Sequence, residues 1–256
     1  MLPHHPPLTT QIRRLAADMV QLCADPSDVP HALDLLDASY ASPAAAAARA
    51  RLKADPAIAP LVRERYWGTW PEAASLTTLP PGSLGYAYGH LLADQGLSPL
   101  PAPEIPAGAD GDDIYLQRRI RACHDVWHVI SGCPTDLAGE AALNGLTAEQ
   151  LRWPGCALLL AADLIHRVDE PVAEAGGAEQ GEGVDVGLAV AFGLELGCLA
   201  PPLLAQRWEE HWERPLADWR EELGISALLQ RSPFRSTALK NMALKDTGSP
   251  VAASPA

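Results

Sequence analysis

Apolar residues spaced three or four apart, with no stretch that alternates with period two, constrain the fold of this chain more than any other feature. Leu15, Met19 and Leu22 repeat at helical spacing within segment 12–23, and similar spacing recurs along the chain. Segments 156–168 and 186–205 are apolar around most of their circumference, which a helix facing water would not be. No glycine loop of the type G-x-G-x-x-G or G-K-[ST] occurs, which disfavours nucleotide-binding folds. The sequence therefore predicts an all-α fold.

Proline, glycine and capping residues divide the chain into a series of predicted helices. Because a single core can extend over roughly 250 residues, we predict one helical domain at 1–231, with its motif-bearing region at about 60–224. A Gly/Glu-rich loop is expected at 173–183 and a loose tail at 232–256. The predicted helices are 12–23, about 33–38, 44–53, 56 to about 67, 83–95, 112 or 113 to 130, one beginning at 135 or 136, 156–168, 186–212 with a bend at Pro201–Pro202, and 215–224.

Charge and cysteine content limit the possible partners and compartments. The formal net charge of -13 argues against nucleic acid as a partner, and any peripheral membrane contact would have to be apolar. Five scattered cysteines without a C-x-x-C pair indicate reduced thiols, and the start of the chain lacks the apolar run of a signal peptide. We therefore expect a cytoplasmic protein, with the periphery of the inner membrane as the alternative. Segment 186–205 contains Glu195 and two prolines, which favours a buried helix over a membrane span.

Two histidines and two carboxylates form the candidate chemical site. On a helix, His124 and His128 project from one face, and Asp125 can join them from the flank. Glu140 follows after a Gly-Cys-Pro break, in an early turn of the next helix. This mixture suits zinc, iron, manganese or cobalt, and zinc is our first choice; an all-oxygen set would have favoured magnesium or calcium. A lone H-x-x-x-H pair is more often two ordinary histidines, but the adjacent Asp and the spaced Glu favour a metal site.

Segment 124–140, HDVWHVISGCPTDLAGE, resembles the H-D-x-x-H-x(11)-E signature of the coenzyme Q (ubiquinone) biosynthesis protein family Coq4. Segments 79–88 and 208–216 are similar to further blocks of that family. The chain departs from the family pattern at 197–202, where relatives tend to carry arginine and lysine around the same glycine and proline. Together the similar segments lie within about 60–224, which is most of the chain.

The resemblance implies an all-helical fold, a divalent metal on His124, Asp125, His128 and Glu140, and an apolar cavity for a prenylated ring intermediate. It also implies that these four residues are catalytic. Family members are associated with oxidative decarboxylation, in which the ring carboxyl at C1 is removed and a hydroxyl is left there. The expected partners are a prenylated quinone precursor and other quinone-biosynthesis proteins, with a second copy of the chain as a further option.

Two other functions remain open at this point. The chain could be a non-catalytic scaffold that binds prenyl lipids and organises a quinone-biosynthesis complex. It could also be an HD-type metal phosphohydrolase that uses His90 and Asp163 as extra ligands, although that leaves His128 and Glu140 without a role.

Two further expectations concern contacts of the motif helix. Arg121 is positioned to pair with Asp125 one turn on, with a solvated charged face as the alternative. The prenyl cavity is expected between the motif helix and the helices at 156–168 and 186–205. Glycines at 187, 193 and 197 give the second of these helices a stripe without side chains, which would admit an isoprenoid chain or a neighbouring helix.

Overall fold

The computed structural model describes residues 8–168 and 184–235, and in these ranges it contains helices and no strand, which confirms the predicted fold class. A bridge between Ser83 and Pro215 is the one isolated β-type pairing there. The predicted loop at 173–183 and the part of the predicted tail beyond 235 lie outside the described residues. The helices are α1 Leu8–Ala24, α2 Val29–Ser39, α3 Pro43–Ala54, α4 Ala59–Glu64, α5 Ala73–Leu76, α6 Leu84–Gln95, α7 Gly111–Ser131, α8 Leu137–Leu151, α9 Pro154–His166, α10 Val186–Leu199, α11 Leu216–Glu222 and α12 Ser226–Leu229, with 3-10 helices η1 Leu203–Ala205 and η2 Trp208–Glu210.

Helices with local capping signals begin and end where the sequence predicts. The Ser83 hydroxyl accepts from the backbone N–H of Tyr86 at 3.2 Å, and Gly96 ends α6 in the left-handed region with φ 63°. The Asp136 carboxylate accepts from the N–H of Gly139 and so caps α8. These caps fix both ends of α6 and the start of α8, which carries Glu140.

Two predicted helices are shorter in the structure. Helix α4 ends at Glu64 instead of reaching about residue 67, because Arg65 adopts a left-handed conformation with φ 45°. The predicted bent helix at 186–212 is wrong: α10 ends at Leu199, and the chain continues through η1 and η2. The Pro201–Pro202 pair explains the stop, since proline offers no N–H and disfavours helical geometry in the residue before it.

Helices α8 and α10 form the most closely packed pair in the core. A Cβ atom on Gly193 of α10 would lie 1.8 Å from the carbonyl oxygen of Ala142 on α8, so only glycine permits this approach. Helix α9 also packs on α8, and α1 and α2 pack on α9 around Leu22, Leu35 and Ala162. The glycine stripe therefore accommodates a neighbouring helix, which is one of the two alternatives that the sequence left open.

Helix α7 is joined to the C-terminal part of the fold by a buried ion pair. Arg119 Nη1 donates to Glu209 at 2.7 Å, and its other nitrogens donate to the carbonyls of Leu204 and Gln206. Both charged side chains are almost completely enclosed. The pair fixes α7 against the segment from η1 to η2.

Among the described helices, none combines the length and the apolarity that crossing a membrane would require.

Candidate metal site and adjoining cavity

The two motif histidines lie in the last two turns of α7 and face each other. Their Nε2 atoms are 3.3 Å apart, and the ring centroids are separated by 4.9 Å in an edge-on arrangement. Asp110 caps the start of this helix through the N–H groups of Asp112 and Asp113, and Gly132 ends it. The helical spacing of the histidines therefore produces the shared face that the sequence predicts.

A tight junction brings Glu140 from α8 to the same point. The junction depends on Gly139, because a Cβ there would lie 1.9 Å from the carbonyl oxygen of Pro134. Glu140 Oε1 is 3.2 Å from His128 Nε2, and its Oε2 is 3.6 Å from His124 Nε2. Potential ligand atoms of the three residues all lie within 4.8 Å of one another.

These distances fit a transition metal. Tetrahedral coordination with bonds of about 2.0–2.1 Å places ligand atoms ~3.3 Å apart, which is close to the three separations observed. The His128 side chain is 1% exposed, whereas those of His124 and Glu140 are 27% and 38% exposed. One side of the group therefore remains accessible, as a site that binds a substrate requires.

A backbone carbonyl also orients the His128 ring through its Nδ1 atom. The Nδ1 atom of His128 lies 3.1 Å from the carbonyl oxygen of Cys133, which follows the end of α7. With the proton on Nδ1 donated to that carbonyl, Nε2 is left as an acceptor that points at His124 and Glu140. A backbone carbonyl on the second ring nitrogen is a common support for histidine metal ligands.

Charges within the group stabilise one another in the absence of metal. Burial alone would raise the pKa of Glu140, but the charge of His128 and hydrogen bonds from both histidines hold that pKa well below its ordinary value. Burial alone would lower the pKa of His128, but Glu140 raises it. A bound cation would take the place of the proton on His128 Nε2, so metal binding should release a proton.

Asp125, the fourth predicted ligand, is not part of this group. It lies along the wall of a cavity on the neighbouring side of α7. Burial raises the pKa of its carboxyl, and the charges of His124 and His128 counteract that effect. The structure therefore brings together three of the four predicted ligands and places the fourth, Asp125, on the wall of the cavity.

The cavity has a volume of about 1010 Å³ and runs along α7, between that helix, α6 and the connecting segments 65–73 and 97–103. It thus differs in position from the cavity that the sequence predicts next to α9 and α10. Its wall combines apolar and aromatic side chains with charged ones, three of them on α7 and two, Arg65 and Glu72, on segment 65–73. Lining residues include Trp67, Trp70, Tyr88, Leu92, Leu97, Leu100, Ile114, Tyr115, Arg118, Arg121, Ala122 and Asp125.

The tryptophans of segments 67–70, 127 and 208–212 lie in two kinds of surroundings. Trp67 and Trp70 line the cavity, and Trp212 packs edge-on against Trp70 and stacks on Tyr88. Trp127 and Trp208 are enclosed in the core. Burial, followed by the charge of Asp125, raises the pKa of Tyr88, so its hydroxyl stays protonated beside the cavity.

The expected pairing of Arg121 with Asp125 is not found. Arg121 Nη2 instead donates to Asp37 on α2 at 2.7 Å, and Nη1 donates to the carbonyl of Pro101. Asp37 also accepts from the backbone N–H of Glu104 at 2.9 Å. These contacts attach the cavity-lining segment 97–103 to the motif helix. A partner 84 residues away in sequence could not be read from helical spacing.

His90 and Asp163, the additional ligands of the phosphohydrolase alternative, do not lie at the site either. His90 lies on α6 beside Asp94, at 3.4 Å. Asp163, on α9, accepts from the Asn144 amide at 3.0 Å. In the described ranges, the group of residues that could hold a metal contains neither of them. The geometry gives that alternative no support.

Known proteins resemble this chain in sequence and in fold. The family model of the coenzyme Q (ubiquinone) biosynthesis protein Coq4 matches residues 35–228. The chain is 29% identical over 180 residues to the mitochondrial ubiquinone biosynthesis protein COQ4 homolog of Bos taurus, covering 70% of this chain and 64% of that protein. It is 31% identical over 156 residues to the corresponding homolog of Drosophila ananassae, covering 60% and 54%. The aligned region thus spans between 54% and 64% of the length of these two relatives.

A solved structure has a similar fold. The crystal structure of a candidate ubiquinone biosynthesis protein from Nostoc punctiforme superposes with a TM-score of 0.68 and covers 84% of this chain and 98% of that chain. At 24% sequence identity, the likeness concerns the fold alone.

Proposed function

The chain belongs to the Coq4 family of coenzyme Q (ubiquinone) biosynthesis proteins, and on that premise we propose that it is a metal-dependent enzyme of ubiquinone-type quinone biosynthesis. The proposed reaction is oxidative decarboxylation of a prenylated hydroxybenzoate-type intermediate, with a hydroxyl left at ring position C1. The observation that carries the proposal is the accessible group of His124, His128 and Glu140 next to a large cavity.

The three residues would hold a divalent cation through two imidazole nitrogens and one carboxylate. Zinc remains the first choice, with iron, manganese or cobalt as alternatives. A bound ion would supply Lewis acidity, which stabilises negative charge on a ring phenolate or carboxylate. Replacing the carboxyl by a hydroxyl, with release of carbon dioxide, is a two-electron oxidation of the ring, so we propose dioxygen as the oxidant. The acid, dioxygen and water then give the phenol, carbon dioxide and hydrogen peroxide.

The cavity would bind the prenyl tail and present the ring to the metal group. Trp67, Trp70 and Leu92 supply apolar surface, and burial of a tail against it contributes roughly 25 cal/mol per Å² before entropic losses. Asp125 and the protonated hydroxyl of Tyr88 would contact the ring at the end near the metal group. Arg118, exposed along the same wall, would attract the carboxylate of an entering substrate.

The remaining partners belong to the proposal as well. A prenylated substrate resides in a membrane, so the protein would have to meet a membrane surface or another quinone-biosynthesis protein that delivers the lipid. The net charge of -13 favours apolar over electrostatic contact with anionic lipids in that encounter. A second copy of the chain remains a further proposed partner.

Turnover by the purified protein tests the proposal. Metal-loaded protein is incubated under air with a short-chain prenylated hydroxybenzoate, and mass spectrometry follows loss of the carboxyl and gain of one oxygen. We expect turnover with the natural chain and none with His128→Ala. Binding of the lipid without turnover, under every metal tested, would instead identify the protein as a scaffold.

A further inference from the structure

Arg220, on α11, contacts the C-terminal end of the helix that carries the two histidines. Its Nε donates to the carbonyl oxygen of Ile130 at 3.1 Å, and its Nη2 donates to that of Val129 at 2.8 Å. Carbonyl groups in the last turn of a helix have no partner within that helix. The guanidinium therefore supplies donors to two carbonyls in the last turn of α7.

The surroundings of Arg220 indicate that this contact is specific. No carboxylate forms an ion pair with Arg220 in the described ranges, and its side chain is only partly accessible. Partial burial of an unpaired cation is unfavourable unless other groups compensate for the lost water. Here the compensation comes from two carbonyls at the negative end of a helix dipole, which stabilises a cation at that position.

The turn that Arg220 holds also carries the metal group. Val129 and Ile130 directly follow His128, and a Cβ on Gly132 would lie 3.6 Å from the guanidinium. The next residue, Cys133, provides the carbonyl that orients the His128 ring. The chain then passes through Pro134 into α8, which carries Glu140. Displacement of this turn would change both the ring orientation of His128 and its distance from Glu140.

We propose that Arg220 is a positioning residue for the metal group, because it holds the turn from which His128 and the path to Glu140 depart. The inference rests on the metal site of the proposed function but not on the reaction. Helix α11 would thereby support the metal group although it contributes no residue to that group.

Arg49, on α3, supplies a matched control because it contacts the opposite end of α7. It is buried, donates to Asp113 at 2.8 Å and also donates to the carbonyl of Tyr40. Asp113 lies eleven residues before His124, which is about 17 Å along a helix. Removal of either arginine should destabilise the fold, but only the loss of Arg220 should disturb the metal group.

The experiment compares Arg220→Gln with Arg49→Gln in the full chain. Affinity for Co²⁺ and Zn²⁺ is measured by competition with a chelator, and the absorption spectrum of the Co²⁺ form reports coordination. We expect Arg220→Gln to weaken affinity about tenfold or more, as loss of groups that orient metal ligands does. Arg49→Gln should stay within about twofold of the natural chain. Arg220→Lys, which retains a donor for one carbonyl, should fall between Arg220→Gln and the natural chain.

Hydrogen exchange of the metal-free proteins supplies a second readout. Amides at 128–133 should exchange faster in Arg220→Gln, whereas those at 114–118 should not. If Arg220→Gln does not fold, the comparison uses Arg220→Lys and Arg49→Lys. The inference would be overturned if the two variants had equal metal affinity, whether both matched the natural chain or both were weakened to the same extent. Failure of the natural chain to bind metal would overturn the site as well, whereas metal binding without turnover would leave Arg220's role intact and refute only the proposed reaction.

Discussion

Asp125 and the two histidines occupy different faces of α7 although they adjoin in sequence. Each residue advances about 100° around an α-helix, so His124 and His128 are only about 40° apart, whereas Asp125 is displaced by about 100° from His124. That rotation directs Asp125 toward the cavity, where it lines the wall. We therefore predict that Asp125 contributes less to metal affinity than either histidine.

We expect Asp125→Asn to retain about one metal ion per chain, with a modest loss of affinity, because three ligands remain in place. His128→Ala should lose stoichiometric metal, since it removes the most enclosed ligand. Metal content after dialysis, measured by elemental analysis, distinguishes the two variants. Equal loss of metal in both would show that Asp125 is a full ligand. His90→Ala serves as a histidine control outside the group.

Ionisation of Asp163 should lower the free energy of unfolding. Burial raises its pKa to about 6, and the hydrogen bond from Asn144 only partly offsets that effect. Because the folded-state pKa exceeds that of the unfolded chain, its stabilising contribution is complete below about pH 4 and is lost as the pH rises through 6. The loss amounts to at most about 3 kcal/mol, from about 1.4 kcal/mol per pKa unit.

Asp163→Asn cannot ionise but can still accept a hydrogen bond from Asn144. Its free energy of unfolding should therefore improve relative to the natural chain as the pH rises from 5 to 8, by about 1.4 kcal/mol, because about one unit of the pKa shift lies above pH 5. Urea unfolding at both pH values measures this difference. An unchanged difference between the two proteins at pH 5 and pH 8 would show that Asp163 is not a destabilising ionised group.

Close packing of α8 and α10 fixes the position of Glu140 at the scale of helices. Gly145 on α8 and Gly193 on α10 allow the two backbones to approach, and Glu140 lies at the start of α8. Interiors packed at this density do not accept an added methyl group without movement of the backbone. The position of the third ligand thus depends on a helix pair that contributes no other ligand.

Gly193→Ala should destabilise the protein by about 1–3 kcal/mol, because the added methyl group overlaps the Ala142 carbonyl. Gly187→Ala, on the same helix, meets only the ends of the Arg167 and Asp185 side chains and should be close to neutral. Thermal or urea unfolding of both variants measures the contrast. Tolerance of Gly193→Ala without loss of stability would mean that the stripe has free space, as an isoprenoid channel would require.

Sequence patterns predicted those features whose signals are local. Ser83, Gly96 and Asp136 mark helix ends through their own caps, and H-x-x-x-H predicts a shared face because helical geometry is regular. Contacts between distant segments carry no such signal. Arg121 pairs with Asp37, and Arg220 reaches the end of α7 across 90 residues, so neither partner could be inferred from spacing.

The position of the cavity depends on the whole molecule. Its wall combines α6, α7 and two irregular segments, 65–73 and 97–103, whose apolar residues have no regular period. The sequence of α10 is highly apolar and so suggests a lipid-binding surface, but the glycines on this helix pack against α8. Hydrophobicity of a helix therefore did not indicate which apolar surface is available to a ligand.

A prenylated hydroxybenzoate should bind this cavity much more tightly than its unprenylated parent, because the tail buries apolar area that the ring alone does not. Ala122→Phe narrows the cavity from the α7 side and should weaken binding of the prenylated compound about tenfold or more, from loss of about 1.4 kcal/mol or more. Ala191→Phe, exposed on α10, places the same ring away from the described cavity and should leave binding unchanged. Native mass spectrometry of each protein, titrated with both compounds, measures these differences. Comparable weak binding of both compounds to the natural chain would exclude a lipid site, and weakening by Ala191→Phe alone would place that site at α10.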